Sequence, residues 1–560
     1  MKLTPLGNAI VKGSAAITIL SVMGGAAWYL TSHKDAGDTT PGAPEAKQEK
    51  HGFFSFGGGD AAPEATATAT VASGALGTQG NPLKVSLNSF LGFAPGILAN
   101  GGSLTTQPGS INANAGIYVE YVIQDNIPTL AENFGANTTQ CVWRTIDFWS
   151  QEHTGLRGAG YDGRMIMLVD NSRGGDGVVA RGDINTVEDL AGHKVALLQY
   201  TPSDWLLRWA LGQSSLSGKK LASIDYVYVA AEDGTAGVKA AFTSGQVDAA
   251  VLWEPDLSFA LKADPKAHIL TSTELATSLI YDGIVCEKKA IDANPKLMQA
   301  FVDGWFAGVD EAQAAPAKAT TTLLATMPFY ADLAKQEGAP YLESLYKGVL
   351  WEGLSENIRD LGLAGESNSF DRIYSEADRV WRDAGAIANP NAAVINPDDA
   401  FDYTFVHAAM GRNAKAKEEA KVPAFTFTEA EKTAAVKQVA TVTKPVTINF
   451  DMGSAELTKK AMATLDKDVV PLIESTGSAY FSIEGNTDST GSAAVNTKLS
   501  KARADAVTKY LVSQWEIDPN RFTVVGNGPS KPVCDEKNPD GTLEECQAAN
   551  RRTDIAVHAR

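Results

Sequence analysis

The segment Asp170–Leu207, DNSRGGDGVVARGDINTVEDLAGHKVALLQYTPSDWLL, carries the alternation that decides the fold. Its apolar runs DGVVAR and HKVALLQY read as strands, and TPSDWLL begins a helix. The same alternation continues on both sides, in LKVSLNSF, GIYVEYVIQD and RMIMLVD before the segment and in IDYVYVA and QVDAAVLWEPDL after it. Strands that alternate with helices are typical of parallel sheets covered by helices. We therefore predict an α/β fold, and a region of this length needs more than one such sheet.

The whole chain has the composition of a multidomain globular protein. Its 560 residues suggest roughly two to four domains. With 44% hydrophobic and 20% charged residues, it is not of the disordered class. The formal net charge of −18 argues against nucleic acid as a partner, because a phosphate backbone needs a basic surface.

The N-terminus predicts export. Residues 13–32 form an uncharged run between Lys12 and Lys34, about long enough to cross the hydrocarbon core of a bilayer. A cleaved signal peptide is the alternative for residues 1–35, and the length of the run favours an uncleaved membrane anchor. Residues 36–81 are rich in Gly, Ala, Thr and Pro, which predicts a flexible linker. Residues 411–443 are a second predicted linker.

The four cysteines fit an oxidising compartment. Cys534 and Cys546 enclose a short polar loop without the ligand spacing of a zinc site, so a disulfide is the simpler interpretation. Cys141 and Cys286 either pair with each other or remain buried thiols. The seven histidines are scattered, and we predict neither a metal site nor a cofactor.

Two runs in the middle of the chain resemble one transport family. DLAGHKVA (Asp189–Ala196) and GQVDAAVLWEP (Gly245–Pro255), in this order, resemble the periplasmic solute-binding proteins of the nitrate/sulfonate/taurine ABC transporter class. The resemblance covers about residues 82–410 and implies a two-lobe binding-protein fold of type II, with a ligand in the cleft. It implies a second lobe at about 181–280, with crossovers near Val178–Asp183 and Ile280–Val285.

Ligand contacts in such a cleft come from loops at strand ends. The candidates by position are Ser89, Phe90, Asp147, Trp149, Asp170, Ser172, Asp176, Thr201, Ser203, Trp253, Glu254 and Asp282. Five are carboxylates and few cations lie near, which favours a ligand with an amino group, such as a zwitterion. Core packing is the alternative for Trp149 and Trp253. The helix that starts after Thr201 either holds an anion at its N-terminus or is capped by its own Asp204.

A catalytic function is not predicted. GAGYDG (Gly158–Gly163) matches the glycine pattern of dinucleotide-binding proteins, but it precedes a strand and opens no obvious helix. The sequence also lacks G-x-S-x-G and a convincing Cys/His arrangement. We therefore predict a protein that is not an enzyme.

Near the C-terminus, the segment IEGNTDSTGSAAVNTKLSKARADAV (Ile483–Val507) places a charged residue where an apolar one is expected. Arg503 falls on the apolar stripe of a predicted helix, where another Leu is expected. Asp488, at the end of the preceding strand, is a plausible partner, because a buried arginine without a carboxylate is costly. From chemistry alone the pair is either a structural salt bridge or a clamp for a ligand with both charges.

The same stretch, with FDMGSAEL before it and NRR after it, resembles the OmpA/MotB-type peptidoglycan-binding domain over about residues 444–560. The resemblance implies a small βαβαβ domain whose ligand is the zwitterionic end of diaminopimelate in the peptide stem. It assigns Asp488 to the ammonium group and Arg503 to the carboxylate. Further pocket residues by position are Asp451, Thr490, Asn496 and Arg551. Asn486 stands where many members have histidine.

Together these features predict a non-enzymatic periplasmic protein of a Gram-negative-type envelope, anchored in the inner membrane by its N-terminal helix. The expected partners are peptidoglycan, a small solute and an ABC permease, with no nucleic acid. The alternative is a structural or assembly scaffold that links membrane and wall and whose solute-binding domain no longer binds ligand.

Overall fold

The computed structural model describes residues 74–558, with gaps at 231–233, 366, 388, 390, 422–426, 438–439, 441, 449, 452, 478 and 540. The predicted membrane or signal segment and most of the first predicted linker lie outside the described residues. None of the described helices has the length and apolar character needed to cross a membrane.

Strands of the described residues are β1 (Leu83–Leu87), β2 (Val119–Ile123), β3 (Cys141–Thr145), β4 (Gly163–Ser172), β5 (Asp176–Ala180), β6 (Lys194–Leu198), β7 (Asp225–Val229), β8 (Ala249–Trp253), β9 (His268–Ser272), β10 (Tyr281–Glu287), β11 (Val349–Trp351), β12 (Val442–Val446), β13 (Tyr480–Asn486), β14 (Phe522–Gly528) and β15 (Thr553–His558).

The α-helices of the described residues are α1 (Ala94–Ala99), α2 (Ile111–Asn114), α3 (Ile127–Gly135), α4 (Ile146–Gly158), α5 (Pro202–Gly212), α6 (Gly218–Leu221), α7 (Gly234–Thr243), α8 (Asp256–Ala263), α9 (Lys288–Ala293), α10 (Pro295–Ala314), α11 (Pro316–Thr326), α12 (Pro328–Glu337), α13 (Ala339–Leu345), α14 (Leu354–Asp360), α15 (Ser369–Ala384), α16 (Thr404–Arg412), α17 (Ala414–Glu419), α18 (Glu429–Lys437), α19 (Lys459–Asp468), α20 (Val470–Ser475), α21 (Ala493–Gln514) and α22 (Leu543–Asn550). Short 3₁₀ turns follow Phe90, Thr186, Leu345, Asn396 and Asp518.

The first lobe is built on a six-stranded sheet in the order β11-β4-β10-β3-β1-β2. β1 is parallel to β2 and β3, whereas β10 is antiparallel to β3 and β4. β4 is buried along its whole length, as expected for a strand covered on both faces. The sheet is therefore mixed, and the prediction of purely parallel sheets is wrong. A strand that returns from a second lobe enters the sheet in the opposite direction, which sequence alternation does not reveal.

The second lobe is built on a five-stranded sheet in the order β7-β6-β8-β5-β9. β5 pairs antiparallel with both β8 and β9, so it is a central strand of this lobe. The chain crosses to the second lobe at residues 173–175 and returns at residues 273–280. Both crossings begin several residues earlier in the chain than the sequence predicts. Val178 and Val179 were assigned to the crossing, but their pairing on both sides makes them part of the second sheet.

The C-terminal domain has a four-stranded sheet in the order β12-β15-β13-β14. Its longest helix, α21, packs on β13 and β14 at very short range. A Cβ atom at Gly485 would lie 2.1 Å from the carbonyl oxygen of Ser500, and one at Gly526 would lie 2.6 Å from that of Thr497. Only glycine permits this approach, which fixes the helix against the strand end that carries Asp488.

Two disulfides join the cysteines. Cys141 and Cys286 are register partners on β3 and β10, with Cα atoms 4.0 Å apart. Cys534 and Cys546 close the polar loop before β15, with Cα atoms 5.3 Å apart. The predicted Cys534–Cys546 disulfide is therefore confirmed, and the open question about the other two cysteines is settled in favour of a pair.

The C-terminal domain packs against the solute-binding domain near the second crossover. The backbone N–H of Ser278 donates to the carbonyl oxygen of Ser475 at 3.0 Å, and Trp209 Nε1 donates to Ser475 Oγ at 3.1 Å. Lys444 Nζ donates to Gln213 Oε1 at 2.8 Å. Ser475 and Trp209 are buried in this contact. Helices α17 and α18 occupy the region that was predicted as a linker between the two domains.

Candidate functional site

In the C-terminal domain, five polar residues form one group at the end of β13: Asp488, Thr490, Asn496, Arg503 and Arg551, which we call the C-terminal pocket. Asp488 is buried, and its Oδ2 accepts from Arg551 Nη1 at 2.6 Å. Its Oδ1 accepts from the backbone N–H of Thr490 at 2.9 Å. Asn496 Nδ2 holds the loop in place by donating to the carbonyl oxygens of Thr490 at 2.9 Å and Asp488 at 3.3 Å.

Arg503 approaches the same pocket from helix α21, without an ion pair to Asp488. Its Nε donates to the carbonyl oxygen of Ser454 at 3.0 Å, and its Nη2 donates to that of Asp451 at 3.4 Å. Its guanidinium carbon lies 4.9 Å from the ring centroid of Phe450. Asp451 thus contributes a backbone carbonyl, and its side chain is exposed.

Burial, followed by the positive charge of Arg551, lowers the pKa of Arg503, and the charge of Asp488 acts in the opposite direction. The guanidinium is therefore close to both charges. A second arginine beside Arg503 makes this pocket attractive to an anionic group. Asp488 supplies the opposite charge at the other side.

The position of Arg503 on its helix differs from the sequence reading. The buried face of α21 runs through Asn496, Ser500, Ala504, Val507 and Leu511. Arg503 lies on the flank of this face and is half-buried. The small residues at 500 and 504 face the sheet because the close approach to β13 leaves no room for larger ones. The predicted stripe is therefore right at Val507 and Leu511, whereas Leu499 and Arg503 each lie one position before the contact residues Ser500 and Ala504.

Between the lobes lies a cavity of about 50 Å³, which we call the interlobe cavity. Its lining combines aromatic side chains with two carboxylates. The lining residues are Asn88, Phe90, Ile127, Trp143, Thr145, Phe148, Gly175, Asp176, Pro202, Trp253, Ile280 and Asp282. The carboxylates come from strand ends at the crossovers. Asp176 begins β5 opposite Trp253 of β8, and Asp282 on β10 lies opposite Thr145 of β3.

Four of the twelve predicted cleft residues line the interlobe cavity: Phe90, Asp176, Trp253 and Asp282. The other eight do not line it: Ser89, Asp147, Trp149, Asp170, Ser172, Thr201, Ser203 and Glu254. Trp149 packs in the core, where it stacks on His153 with ring centroids 4.1 Å apart. Glu254 is turned away, because its Oε1 accepts from Ser258 Oγ at 2.7 Å.

At the predicted helix start after Thr201, the nearby polar side chains bond to other groups of the protein. Asp204 Oδ2 accepts from the backbone N–H of Tyr200 at 3.0 Å, and Oδ1 pairs with Arg208 Nε at 2.8 Å. The Thr201 hydroxyl donates to the carbonyl oxygen of Leu198 at 2.9 Å. Helix α5 has no side-chain cap, so the self-capped alternative is not confirmed, although the Asp204 carboxylate lies at the helix start.

Sequence reasoning missed the end of β3, which supplies Trp143 and Thr145 to the cavity and leads into Phe148. The sequence signal that could have found this strand is the alternation of its side chains between the two faces of the sheet. Trp143 and Thr145 share one face of the strand, whereas Arg144 between them points to Glu152. Trp143 Nε1 donates to Asp282 Oδ1, which connects the missed strand to a predicted residue.

The carboxylates at the lobe junction are buried, and burial disfavours their charged forms. Burial raises the pKa of Asp176 to about 7 and that of Asp147 to about 8. Burial, and then the charge of Asp282, raises the pKa of Asp170 well above its usual range. Burial also raises the pKa of Asp282. No group of three or more His, Cys, Asp or Glu side chains in the described part of the chain has a metal-binding arrangement.

Comparison with known families supports both halves of this architecture. Residues 449–544 match the family described as "OmpA family", and residues 165–319 match the one described as "NMT1/THI5 like". The solute-binding and OmpA resemblances stated from the sequence are therefore confirmed, as is the α/β binding-protein fold joined to an OmpA domain.

Two curated relatives each match about a fifth of this chain. Outer membrane porin F of Pseudomonas aeruginosa is 33% identical over 112 residues, 20% of this chain and 30% of that protein. Probable lipoprotein YiaD of Escherichia coli is 34% identical over 113 residues, 20% of this chain and 48% of that protein. The chain spans about a third of the length of the first of these relatives.

Solved structures resemble the solute-binding domain. The periplasmic aliphatic sulphonate binding protein SsuA from Escherichia coli is 16% identical with a TM-score of 0.45, over 58% of this chain and 99% of that one. The alkanesulfonate-binding protein SsuA from Xanthomonas axonopodis pv. citri, bound to MOPS, is 16% identical with a TM-score of 0.42, over 57% of this chain and 98% of that one.

Proposed function

We propose that this protein binds a small polar solute between its two lobes and attaches non-covalently to peptidoglycan through diaminopimelate. In this proposal it is a non-enzymatic protein of the periplasm, and the N-terminal segment anchors it in the inner membrane. In this proposal an ABC permease receives the solute, as the resemblance to the solute-binding proteins of ABC transporters implies.

One observation carries the wall-binding part. Arg503 is bound to two backbone carbonyls and not to Asp488, whose own ion-pair partner is the half-exposed Arg551. A salt bridge that served only to stabilise the fold would join Asp488 directly to Arg503. Two arginines and one carboxylate around one pocket instead suit a ligand that brings both charges.

The free end of diaminopimelate carries an ammonium and a carboxylate on the same carbon. We expect its ammonium to displace Arg551 from Asp488, because the Arg551 side chain is 44% exposed. The carboxylate then accepts hydrogen bonds from Arg503 and from the released Arg551. Asn496 holds the Asp488 loop in the required shape through its two donated hydrogen bonds.

The test is a sedimentation assay of the full chain with two kinds of peptidoglycan. Wild type should pellet with diaminopimelate-type wall and much less with lysine-type wall, since lysine lacks the second carboxylate. Arg503→Ala and Asp488→Asn should each lose at least tenfold in affinity, as expected for charge-assisted hydrogen bonds of about 1.5–3 kcal/mol. Lys509→Ala and Asp505→Asn, on the same helix, are the matched controls.

Two results would contradict the proposal. Equal binding to both wall types would remove diaminopimelate as the recognised group. Loss of binding that is accompanied by loss of the folded circular dichroism spectrum would make Asp488 and Arg503 structural residues.

A scaffold remains the second candidate, and the size of the interlobe cavity favours it. At about 50 Å³ the cavity takes little more than one or two water-sized groups, so a scaffold without a solute fits this closed arrangement. Small-angle scattering in the presence of solutes distinguishes the two candidates. A binding protein changes its lobe angle with a bound solute, whereas a scaffold does not.

A further inference from the structure

We propose that the C-terminal domain docks on the hinge between the two lobes and restrains the angle between them. The hinge consists of the two crossings, residues 173–175 and 273–280. The dock is made by the end of helix α20 and the turn after it, residues 474–477, which we call the docking turn. This restraint is independent of solute binding and of wall binding. Where both of those functions hold, it links them, because movement of the wall-binding domain away from the hinge would free the lobes.

The backbone of Ser278, in the return crossing, is bonded on both sides by groups outside the crossing. Its N–H donates to the carbonyl oxygen of Ser475 at 3.0 Å, and its carbonyl oxygen accepts from Arg372 Nη2 at 2.6 Å. Domains that close on a ligand move because a few hinge residues change their φ and ψ angles. Such a change at Ser278 would reorient both groups and break these hydrogen bonds. The docking turn therefore opposes motion at this crossing.

The docking turn also contacts both lobes. Ser475 Oγ accepts from Trp209 Nε1 at 3.1 Å, and Trp209 belongs to α5, which packs on β5, β6 and β8 of the second lobe. Glu474 Oε2 lies 3.7 Å from Arg372 Nε, and Arg372 belongs to α15, which packs on α4 of the first lobe. Because one turn contacts two lobes and the crossing between them, rotation of one lobe against the other would break some of these contacts.

The contact between the docking turn and the hinge is closely packed. A Cβ atom at Gly477 would lie 2.0 Å from Thr277 Oγ1, so the turn comes as near to the crossing as glycine permits. Thr277 and Ser475 are both buried. Trp209 and Leu472 belong to one continuous cluster of buried apolar side chains. An apolar contact of this kind restrains the relative motion of two domains.

The two crossings are bonded to each other, so a restraint on one acts on both. Thr273 Oγ1, in the return crossing, accepts from the backbone N–H of Gly174 at 2.9 Å. It also accepts from the backbone N–H of Asp176, directly after the first crossing, at 3.2 Å. A dock on Thr277 and Ser278 therefore restrains the whole hinge.

The test measures the lobes and the dock separately, on the full chain and without a ligand. Because all four cysteines form disulfides, introduced cysteines can be spin-labelled selectively. Glu132→Cys on α3 with Ala240→Cys on α7 reports the distance between the lobes, and Ala240→Cys with Lys509→Cys on α21 reports the distance from the second lobe to the C-terminal domain. All three positions are exposed. Double electron–electron resonance gives both distance distributions.

Two substitutions should release the dock from opposite sides. Gly477→Ala places a methyl group against Thr277, and Arg372→Ala removes a hydrogen bond to Ser278. We expect each variant to broaden both distance distributions. Hydrogen exchange at the Ser278 N–H should become about two- to tenfold faster, as expected for the loss of one hydrogen bond. If one variant fails to fold, as judged by circular dichroism, the other still decides the question.

Matched controls separate the dock from general effects of the substitutions. Gly385→Ala also places alanine at a positive φ, but no atom lies within 4 Å of its added methyl group. Arg412→Ala removes an arginine that pairs with Asp303 at 2.6 Å, on α16. We expect both controls to keep the narrow distributions and the Ser278 exchange rate of the wild type.

Three results would overturn the proposal. A broad distance from the second lobe to the C-terminal domain in the wild type would mean that the dock does not form in solution. A broadened C-terminal distance with an unchanged lobe distance would mean that the dock does not restrain the lobes. Unchanged distances and exchange in Arg372→Ala/Gly477→Ala would mean that these contacts do not hold the dock. Neither solute binding nor pelleting with peptidoglycan enters these measurements, so the failure of either function is seen separately.

Discussion

The C-terminal pocket and the interlobe cavity both contain buried aspartates, but their charges are balanced differently. In the C-terminal pocket Asp488 faces two arginines, one of them half-exposed. At the interlobe cavity Asp176 and Asp282 face aromatic walls and another carboxylate, Asp170. The first site combines both signs of charge in one pocket. In the second, burial raises the pKa of both carboxylates, which disfavours their charged forms.

The largest difference that we expect between the two regions is in how much their disulfides contribute to the free energy of unfolding. Removing Cys141–Cys286, which encloses 145 residues, should lower the free energy of unfolding by about 5 kcal/mol, against about 3 kcal/mol for Cys534–Cys546, which encloses 12. The reason is that the longer loop has more entropy to lose in the unfolded chain. Urea unfolding of the two double Cys→Ala variants measures both values.

The smaller disulfide should instead affect wall binding. Glu536, inside its loop, accepts from Ser489 Oγ at 2.6 Å and from Asn550 Nδ2 at 2.8 Å, and so supports the Asp488 loop. We expect weaker pelleting with peptidoglycan for Cys534→Ala/Cys546→Ala and unchanged pelleting for the other pair. The reverse pattern would mean that the interlobe region, and not this loop, shapes the pocket.

The pH dependence of the free energy of unfolding is a further test of the comparison between the interlobe carboxylates and Asp488. The folded pKa values of Asp147 (about 8) and Asp176 (about 7) lie above the unfolded value of about 3.9, so the folded state binds more protons in between. The stabilisation that these two groups contribute is therefore largest below about pH 4, and it is lost as the pH rises to about 7 for Asp176 and about 8 for Asp147, by up to about 1.4 kcal/mol per pH unit for each group. Urea unfolding at pH 5, 6, 7 and 8 measures the slope.

Asp147→Asn should flatten that slope, and Asp225→Asn, an exposed carboxylate in the second lobe, should leave it unchanged. A rise in stability between pH 5 and pH 8 in the wild type would show that these carboxylates are ionised and compensated in the folded protein. It would also weaken the contrast with Asp488.

The C-terminal pocket and the interlobe cavity also differ in how well the sequence predicts their residues. Asp488 and Arg503 lie 15 positions apart in a characteristic loop and helix, so local pattern was enough to find them. The interlobe cavity joins β3, β5, β8 and β10, whose meeting depends on how two lobes close. β3 escaped prediction because CVWRT contains a charge, whose partner, Glu152, lies on the following helix. Most other strands were recognisable from their apolar runs.

The smallest effect we predict concerns the ring beside Arg503. Phe450→Leu removes the aromatic face under the guanidinium, 4.9 Å away, while Phe450→Tyr keeps it. A cation–π contact at a partly exposed site contributes about 0.5–1 kcal/mol. We therefore expect a wall affinity about two- to fivefold weaker for the Leu variant and near wild type for the Tyr variant. If the Leu variant binds as wild type does, the carbonyls of Ser454 and Asp451 alone position Arg503, and the pocket is more rigid than its aromatic neighbour suggests.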